Sequence, residues 1–167
     1  VELIRKEFSG LLVGDGVLAK KDGFEWPQTY KAKIKLISRK TQQANISIGL
    51  PGLPIGHQSR YAMYLTNILL GGGSISRLFK EVREKRGLAY SIGSSTESFV
   101  DAGSIMIGAG LPTEKIKETV NLITEIVWGL GGKGKYGITN KDLAIAKECY
   151  QGRVSLAYDN PAKVMGF

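Results

Sequence analysis

Residues 69–91 read LLGGGSISRLFKEVREKRGLAYS, and this stretch decides how the rest of the chain is interpreted. Its three glycines, Gly71 to Gly73, predict the end of one helix and a hinge, with Ser74 as the N-cap of the next helix. The apolar residues that follow have the spacing of a single helix face; they are Ile75, Leu78, Phe79 and Val82. The stretch therefore predicts a glycine hinge followed by an amphipathic helix.

This helix is expected to end just before Gly87. Continuing it would turn Arg86 onto the apolar face, so we place its end near Lys85 or Arg86. A tight turn then leads into a strand predicted at 88–99. Arg83 and Tyr90 thus lie seven residues apart, one on each side of the turn.

Arg83 and Tyr90 are the candidate binding residues. Arg83 falls at the border of the apolar face, beside Phe79, where a guanidinium presents a rigid fork of donors to a carbonyl or carboxylate. Tyr90 adds a hydroxyl on an apolar ring. Two donors aimed at one oxygen could bind a peptide backbone or a tetrahedral oxyanion. Local chemistry alone favours a simpler alternative, in which Arg83 interacts with the helix C-terminus and Tyr90 belongs to the core.

The surrounding sequence alternates pairs of strands with pairs of helices. Period-2 alternation predicts strands at 30–36, 44–50, 88–99 and 103–110. Helical spacing predicts helices at 58–70, 74–86, 113–127 and 139–157. This order favours an α+β fold in which an antiparallel or mixed sheet has helices packed on one face.

Two further signals belong to the first and last of these helices. One apolar face is predicted for the first helix, formed by Tyr61, Leu65, Ile68 and Leu69. At the start of the last helix, Thr139 and Asp142 resemble a capping box, although Glu or Gln is the usual partner.

Residues 1–28 are interpreted as a helix end and a linker. Leu3, Ile4 and Phe8 suggest a short helix, and residues 10–28 hold four glycines and a proline with few periodic apolar residues. We expect residues 29–167 to form the domain proper.

The composition is that of a folded domain with a basic surface. The chain has 167 residues, 43% of them apolar, and a net charge of +8. No apolar run reaches the roughly 18–20 residues of a membrane span. Part of the charge is concentrated at Lys31, Lys33, Lys35, Arg39 and Lys40. Because the lysines alternate with apolar residues, we prefer the wet face of an edge strand to a nucleic-acid-binding patch.

The chain offers no complete catalytic site. Its single histidine, His57, is followed by Gln58-Ser59-Arg60-Tyr61, which does not match the paired histidines of a zinc peptidase, so we interpret it as a surface residue. The single cysteine, Cys149, is interpreted as a half-buried apolar residue. The glycines before Ser74 lack a P-loop pattern, so we prefer a tight corner there to a phosphate site.

At these residues the chain resembles the M16 metallopeptidases, the family of mitochondrial processing peptidase, pitrilysin and insulysin. The motif that carries the resemblance consists of Leu70-Gly71-Gly72-Gly73, Ser76-Arg77-Leu78-Phe79 and residues 82–91. The similarity extends from Val1 to about Pro161, with Ser74 and Ile75 departing from the usual residues.

The resemblance implies the metallohydrolase fold of LuxS and the processing peptidases. It identifies residues 29–167 with the family's second domain, truncated at its C-terminus. That domain is inactive and binds no metal, and it contributes an Arg and a Tyr that match Arg83 and Tyr90 here. The matching motif or loop residues are Gly71, Gly72, Gly73 and Arg77. No catalytic residue and no metal ligand is expected in this chain.

The implied activity is that of a zinc-dependent endopeptidase. An upstream domain or a partner subunit would bind the zinc, while this chain closes the chamber and binds an extended peptide, inactive alone. The alternative within the family is a non-catalytic structural or assembly subunit, like the core proteins of a respiratory complex.

The resemblance also sets expectations about partners and compartment. We expect a homo- or hetero-dimer of the parent protein, and neither nucleic acid nor a membrane as partner. The expected compartment is the cytoplasm of a bacterium, with the mitochondrial matrix and the periplasm as alternatives.

Overall fold

The computed structural model describes residues 34–35, 37–38, 41–132 and 134–158. The chain divides into two compact units, Val1–Lys35 and Leu36–Phe167. Of the first unit only Ile34 and Lys35 are described, and both are exposed and outside any helix or strand. The predicted N-terminal helix, the linker at 10–28 and most of the strand at 30–36 therefore lie outside the described residues.

A three-stranded antiparallel sheet lies in the second unit. Its strands are β1 (Ala44–Gly52), β2 (Ser91–Ser98) and β3 (Gly103–Leu111), in the order β1–β3–β2. Ile107 of the central strand pairs with Ile48 of β1 and with Ser94 of β2, which fixes the register on both sides. The break between the strands predicted at 88–99 and 103–110 is confirmed, because a turn there joins β2 to β3.

Four helices accompany the sheet in the described part of the chain. They are α1 (Arg60–Leu70), α2 (Phe79–Glu84), α3 (Ile116–Gly129) and α4 (Asn140–Tyr158). α2 is a π-helix, in which the Lys85 amide donates to the Lys80 carbonyl five residues earlier, at 2.9 Å. A 3₁₀ turn, Thr113–Lys115, precedes α3.

The main core lies between one face of the sheet and the helices. Ile107 and Leu111 of β3 are fully buried there, together with Val82 of α2 and Ile126 of α3. The half-buried residues that the neighbouring strands add to this core are Ile46, Ile48, Leu50 and Ile92. The predicted α+β fold with helices packed on one face is confirmed.

The opposite face of the sheet is open among the described residues. Small residues on this face include Ser47, Gly49, Ser91, Ser95 and Gly108, and larger ones include Asn45, Glu97 and the half-buried Met106 of the central strand. The face begins at Ser91, immediately after Tyr90 in the chain.

A second, smaller cluster joins α4 to α1. Ile68 and Leu69 pack against Ala146, and Cys149 contacts the same cluster. The chain enters α4 through the predicted capping box, which is confirmed. The Thr139 amide donates to Asp142 Oδ2 at 2.8 Å, and the Asp142 amide donates to Thr139 Oγ1 at 3.2 Å.

The expected start of the helix after the glycine hinge is wrong. Ser74 does not cap it, because the Ser76 amide donates to the Gly73 carbonyl at 3.0 Å and this turn delays the helix to Arg77. Ser76 Oγ accepts from the Phe79 amide at 3.4 Å in place of the predicted cap. Ile75 consequently lies outside the helix and is 40% exposed.

Two other local expectations need correction. Tyr61 is 50% exposed instead of lying in the core, and its ring centre lies 4.6 Å from the guanidinium carbon of Arg60. β2 begins at Ser91 instead of residue 88, because the Leu88 amide closes the preceding turn by donating to the Val82 carbonyl.

Candidate functional site

A closed turn between α2 and β2 sets the positions of Arg83 and Tyr90. Gly87 has a φ of +58°, in the left-handed region that glycine adopts without steric cost. The amides of Gly87 and Leu88 donate to the carbonyls of Arg83 and Val82, at 3.1 and 2.9 Å. These bonds resemble a Schellman motif in which each bond spans one residue more, as suits the wider π-helix. The turn predicted at Gly87 is confirmed.

Arg83 presents its guanidinium to solvent. The side chain is exposed, and its guanidinium carbon lies 5.0 Å from the centre of the Phe79 ring, the neighbour that the sequence predicted. This cation–π contact orients the side chain without using its N–H donors. Within the described residues the guanidinium makes no hydrogen bond or ion pair, so all its donors remain available to a ligand.

Tyr90 combines an anchored backbone with an exposed ring. Its amide donates to the Gly110 carbonyl of β3 at 2.8 Å, and the preceding Leu88 and Ala89 are buried in the core. The Tyr90 side chain itself is 63% exposed. The alternative that placed Tyr90 in the core is therefore wrong.

The structure thus places both candidate donors on one rigid turn and leaves both exposed. Arg83 precedes the turn and Tyr90 follows it, next to the open face of the sheet. Guanidinium and phenol donors suit the carbonyl oxygens of an extended chain.

The three glycines form a packed corner instead of an anion site. The Gly71 carbonyl accepts from the Ser94 amide of β2 at 2.9 Å, and a Cβ on Gly71 would lie only 2.5 Å from that nitrogen. The Gly72 carbonyl accepts from the Arg153 guanidinium of α4. Gly73 is half-buried in the same corner. The corner that we preferred to a phosphate site is confirmed.

Arg77, the other motif residue, makes internal contacts. Its Nη2 donates to the Gly137 carbonyl at 2.7 Å and to Asp142 Oδ2 at 3.1 Å, and only 15% of its side chain is exposed. Arg77 therefore ties the start of α2 to the loop between α3 and α4 and to the first turn of α4.

Sequence analysis missed Glu81, whose side chain is 10% exposed among three cations. Lys85 Nζ lies 2.5 Å from Oε1, and Arg86 Nη1 and Lys135 Nζ lie 3.1 and 3.6 Å from Oε2. The Lys85 hydrogen bond is the main cause that lowers the pKa of the Glu81 carboxyl, against the opposing effect of burial. The i, i+4 spacing of Glu81 and Lys85 was a signal in the sequence, but Lys135 comes from a distant loop.

His57 and Cys149 are both half-buried and make contacts within the fold. His57 is half-buried and accepts through Nδ1 from the Ser59 amide at 3.0 Å, just before α1. Cys149 is half-buried against the smaller cluster, as predicted. Among the described residues, no group of three or more His, Cys, Asp or Glu side chains could bind a metal ion.

The basic N-terminal segment is largely beyond what the structure describes. Lys35 is exposed, whereas Lys31, Lys33, Arg39 and Lys40 lie outside the described residues. In the described part of the chain, no helix combines the length and the apolar character that crossing a bilayer requires.

Comparison with known sequences assigns most of the chain to one family. Residues 1–149 match the sequence model of the peptidase M16 inactive domain. The chain is 37% identical over 133 residues to an uncharacterized zinc protease of Streptomyces coelicolor, covering 80% of this chain and 28% of that protein. It is 34% identical over 141 residues to the uncharacterized zinc protease YmxG of Bacillus subtilis, covering 84% and 34%. The chain thus spans about a third of the length of these relatives.

A solved structure gives the same assignment. The crystal structure of a peptidase M16 inactive domain from Pseudomonas fluorescens superposes with a TM-score of 0.61 at 31% identity. The superposition covers 67% of this chain and 27% of that one.

Proposed function

Because this chain belongs to the M16 peptidase family, whose inactive domain it matches, we propose that it binds substrate for a zinc-dependent endopeptidase. In this role it binds an extended peptide and closes the chamber in which another domain or subunit cuts it. The chain is inactive alone, and its contribution is to hold the peptide backbone and polarise its carbonyl groups.

One observation carries this proposal: Arg83 and Tyr90 are exposed on a turn whose backbone is anchored to the core. Because the backbone of this turn is already ordered, only the two side chains lose conformational entropy when they bind. Within the described residues Arg83 also makes no hydrogen bond or ion pair that a substrate would have to displace, and its guanidinium contacts the Phe79 ring instead.

The zinc would come from outside this chain. The bacterial relatives are named zinc proteases, and they are about three times as long as the part that matches here. A zinc ion and its polarised water would cut the peptide bond. The donors of this chain would align the bond and stabilise charge on its carbonyl oxygen.

The contacts of β2 also favour binding of the peptide by side chains over its addition to the sheet as a further strand. This strand lies at one edge of the described sheet, but its Ser94 amide already donates to Gly71. A peptide that added itself as a further strand would have to break this bond. We therefore assign peptide binding to Arg83, to Tyr90 and to the open face beside them.

The test uses the complete peptidase, meaning this chain together with its zinc-binding domain. Arg83→Ala should lower kcat/KM for an unstructured peptide by about tenfold or more, because a charged donor to the carbonyl is lost. Zinc content should stay at the wild-type level. The control is Lys115→Ala, which removes an exposed cation whose one ion pair in the described part of the chain is with Glu118, at 3.7 Å. Wild-type turnover by Arg83→Ala would contradict the proposal.

A further inference from the structure

Glu81 is the one strongly buried carboxylate of α2, and its contacts converge on the turn that carries Arg83 and Tyr90. Lys85 and Arg86 both fold back onto it from the last residues before Gly87. The Arg86 Nη1 donates in addition to the Glu81 backbone carbonyl at 3.2 Å. One carboxylate thus forms ion pairs with both cations that lie between Arg83 and the turn.

Glu81 and Arg83 lie on different sides of the same helix. Residues two apart on a helix do not face each other, and here Glu81 is buried while Arg83 is exposed. Any rotation of α2 that moved Glu81 away from its cations would change the direction of Arg83 as well.

The helix is also tied to one loop at two points. Arg77 donates to the Gly137 carbonyl ahead of α2, and Lys135 of the same loop lies 3.6 Å from Glu81 within it. Together with the burial of Val82 in the core, these two attachments fix the rotation of this short helix.

We propose that Glu81 is a positioning residue for peptide binding: by gathering Lys85, Arg86 and Lys135 it fixes the direction of Arg83 and the turn that leads to Tyr90. This inference rests on the proposed function, since it assigns Glu81 an effect that reaches the substrate only through Arg83 and Tyr90. Without the carboxylate, three cations would repel one another at the end of the helix that carries Arg83.

The test is a double-mutant cycle in the complete peptidase, with KM and kcat measured for one unstructured peptide. Glu81→Gln keeps the side-chain volume and removes the charge. It should raise KM by about tenfold, the change that corresponds to one weakened charged contact. In the Arg83→Ala background the same substitution should change KM by less than about twofold, because the residue it positions is gone.

The matched control is Glu118→Gln, which removes a carboxylate from an exposed ion pair with Lys115. It should leave KM unchanged in both backgrounds, because exposed pairs contribute little. Should Glu81→Gln fail to fold, as judged by circular dichroism and zinc content, Lys135→Met takes its place. That variant removes one of the three cations and should raise KM by about threefold.

The outcomes separate the two proposals. If Arg83→Ala raises KM but Glu81→Gln does not, the positioning role is overturned and the proposed function stands. If Glu81→Gln raises KM equally with and without Arg83, its effect is general and the positioning role is overturned. If Arg83→Ala leaves both KM and kcat unchanged, the proposed function itself fails and the positioning role fails with it.

Discussion

The two halves of the glycine–arginine motif behave in opposite ways. The first half, residues 71–77, is turned inward: Gly71 packs on β2, and Arg77 binds Gly137 and Asp142. The second half, residues 83–90, leaves Arg83 and Tyr90 exposed on an anchored turn. A continuous motif thus contains a segment that builds the scaffold and a segment that can meet a ligand. The predictions below ask whether stability and peptide binding divide between them.

The largest effect on stability is expected from Gly71→Ala. Its Cβ would lie 2.5 Å from the Ser94 nitrogen and 2.6 Å from Ser94 Oγ, so the α1–α2 corner must move away from β2. We expect a loss of about 3 kcal/mol in the free energy of unfolding, measured by urea denaturation. The control is Gly56→Ala, where the added Cβ would meet nothing within 4 Å. Equal losses in both variants would show that the corner is not tightly packed.

Arg77→Met should come second. It keeps much of the side-chain volume but removes the bonds to Gly137 and Asp142, leaving a half-buried carboxylate without its cation. The expected loss is about 2 kcal/mol in the same denaturation experiment. A loss no larger than that of Arg83→Ala would remove the distinction between the two halves of the motif.

Lowering the pH should weaken the contact of Asp142 with Arg77, which holds the first half of the motif to α4. The Thr139 side chain, then the Thr139 amide and Arg77, lower the pKa of Asp142 below its ordinary value. A carboxyl with a lowered folded-state pKa stabilises the fold above its unfolded-state pKa, and this contribution is lost as the pH falls through the folded-state value. Asp142→Asn should therefore cost about 1 kcal/mol at pH 7 and progressively less below about pH 4. A cost that stayed constant down to pH 2 would contradict this assignment.

The smallest effect on stability is expected from Arg83→Ala. The exposed guanidinium contacts the Phe79 ring and makes no ion pair within the described residues. Losing the cation–π contact should cost about 0.5 kcal/mol or less. A loss above about 2 kcal/mol would mean that Arg83 supports the fold, and would count against its role as a donor to substrate.

The strands show what local sequence can predict. Alternation of apolar residues predicted β1 and β3 to within two residues of their observed ends, because the period-2 pattern reports directly which side of a sheet is buried. The capping pair of Thr139 and Asp142 was also predicted, because its bonds join residues only three apart in the sequence.

The helix that carries Arg83 shows where local sequence stops. Its apolar spacing fits an α-helix and a π-helix over so short a length, so the π-helical turn could not be predicted. Its start was misplaced because Gly73 and Ser76 form a turn that the Ser74 capping signal concealed. The burial of Glu81 depends on Lys135 from a distant loop, a contact that only the folded chain creates.

The exposure of Tyr90 was likewise beyond the residues alone. A tyrosine that follows two apolar residues and precedes a strand can place its ring in the core or at the surface. Local chemistry alone favoured a Tyr90 ring in the core. The structure buries Leu88 and Ala89 instead and leaves the Tyr90 ring 63% exposed. The family resemblance favoured a substrate-binding Tyr90; the structure shows the exposure that this role requires, and the role itself stays a prediction.

The most direct test of the central claim is peptide affinity in the absence of cleavage. Treating the complete peptidase with a zinc chelator stops turnover, so the Kd of a fluorescent, unstructured peptide can be measured by anisotropy. Arg83→Ala should raise this Kd by about tenfold or more, while Lys115→Ala, which removes an exposed cation outside the motif, should leave it unchanged. The same Kd for Arg83→Ala and wild type would contradict the claim.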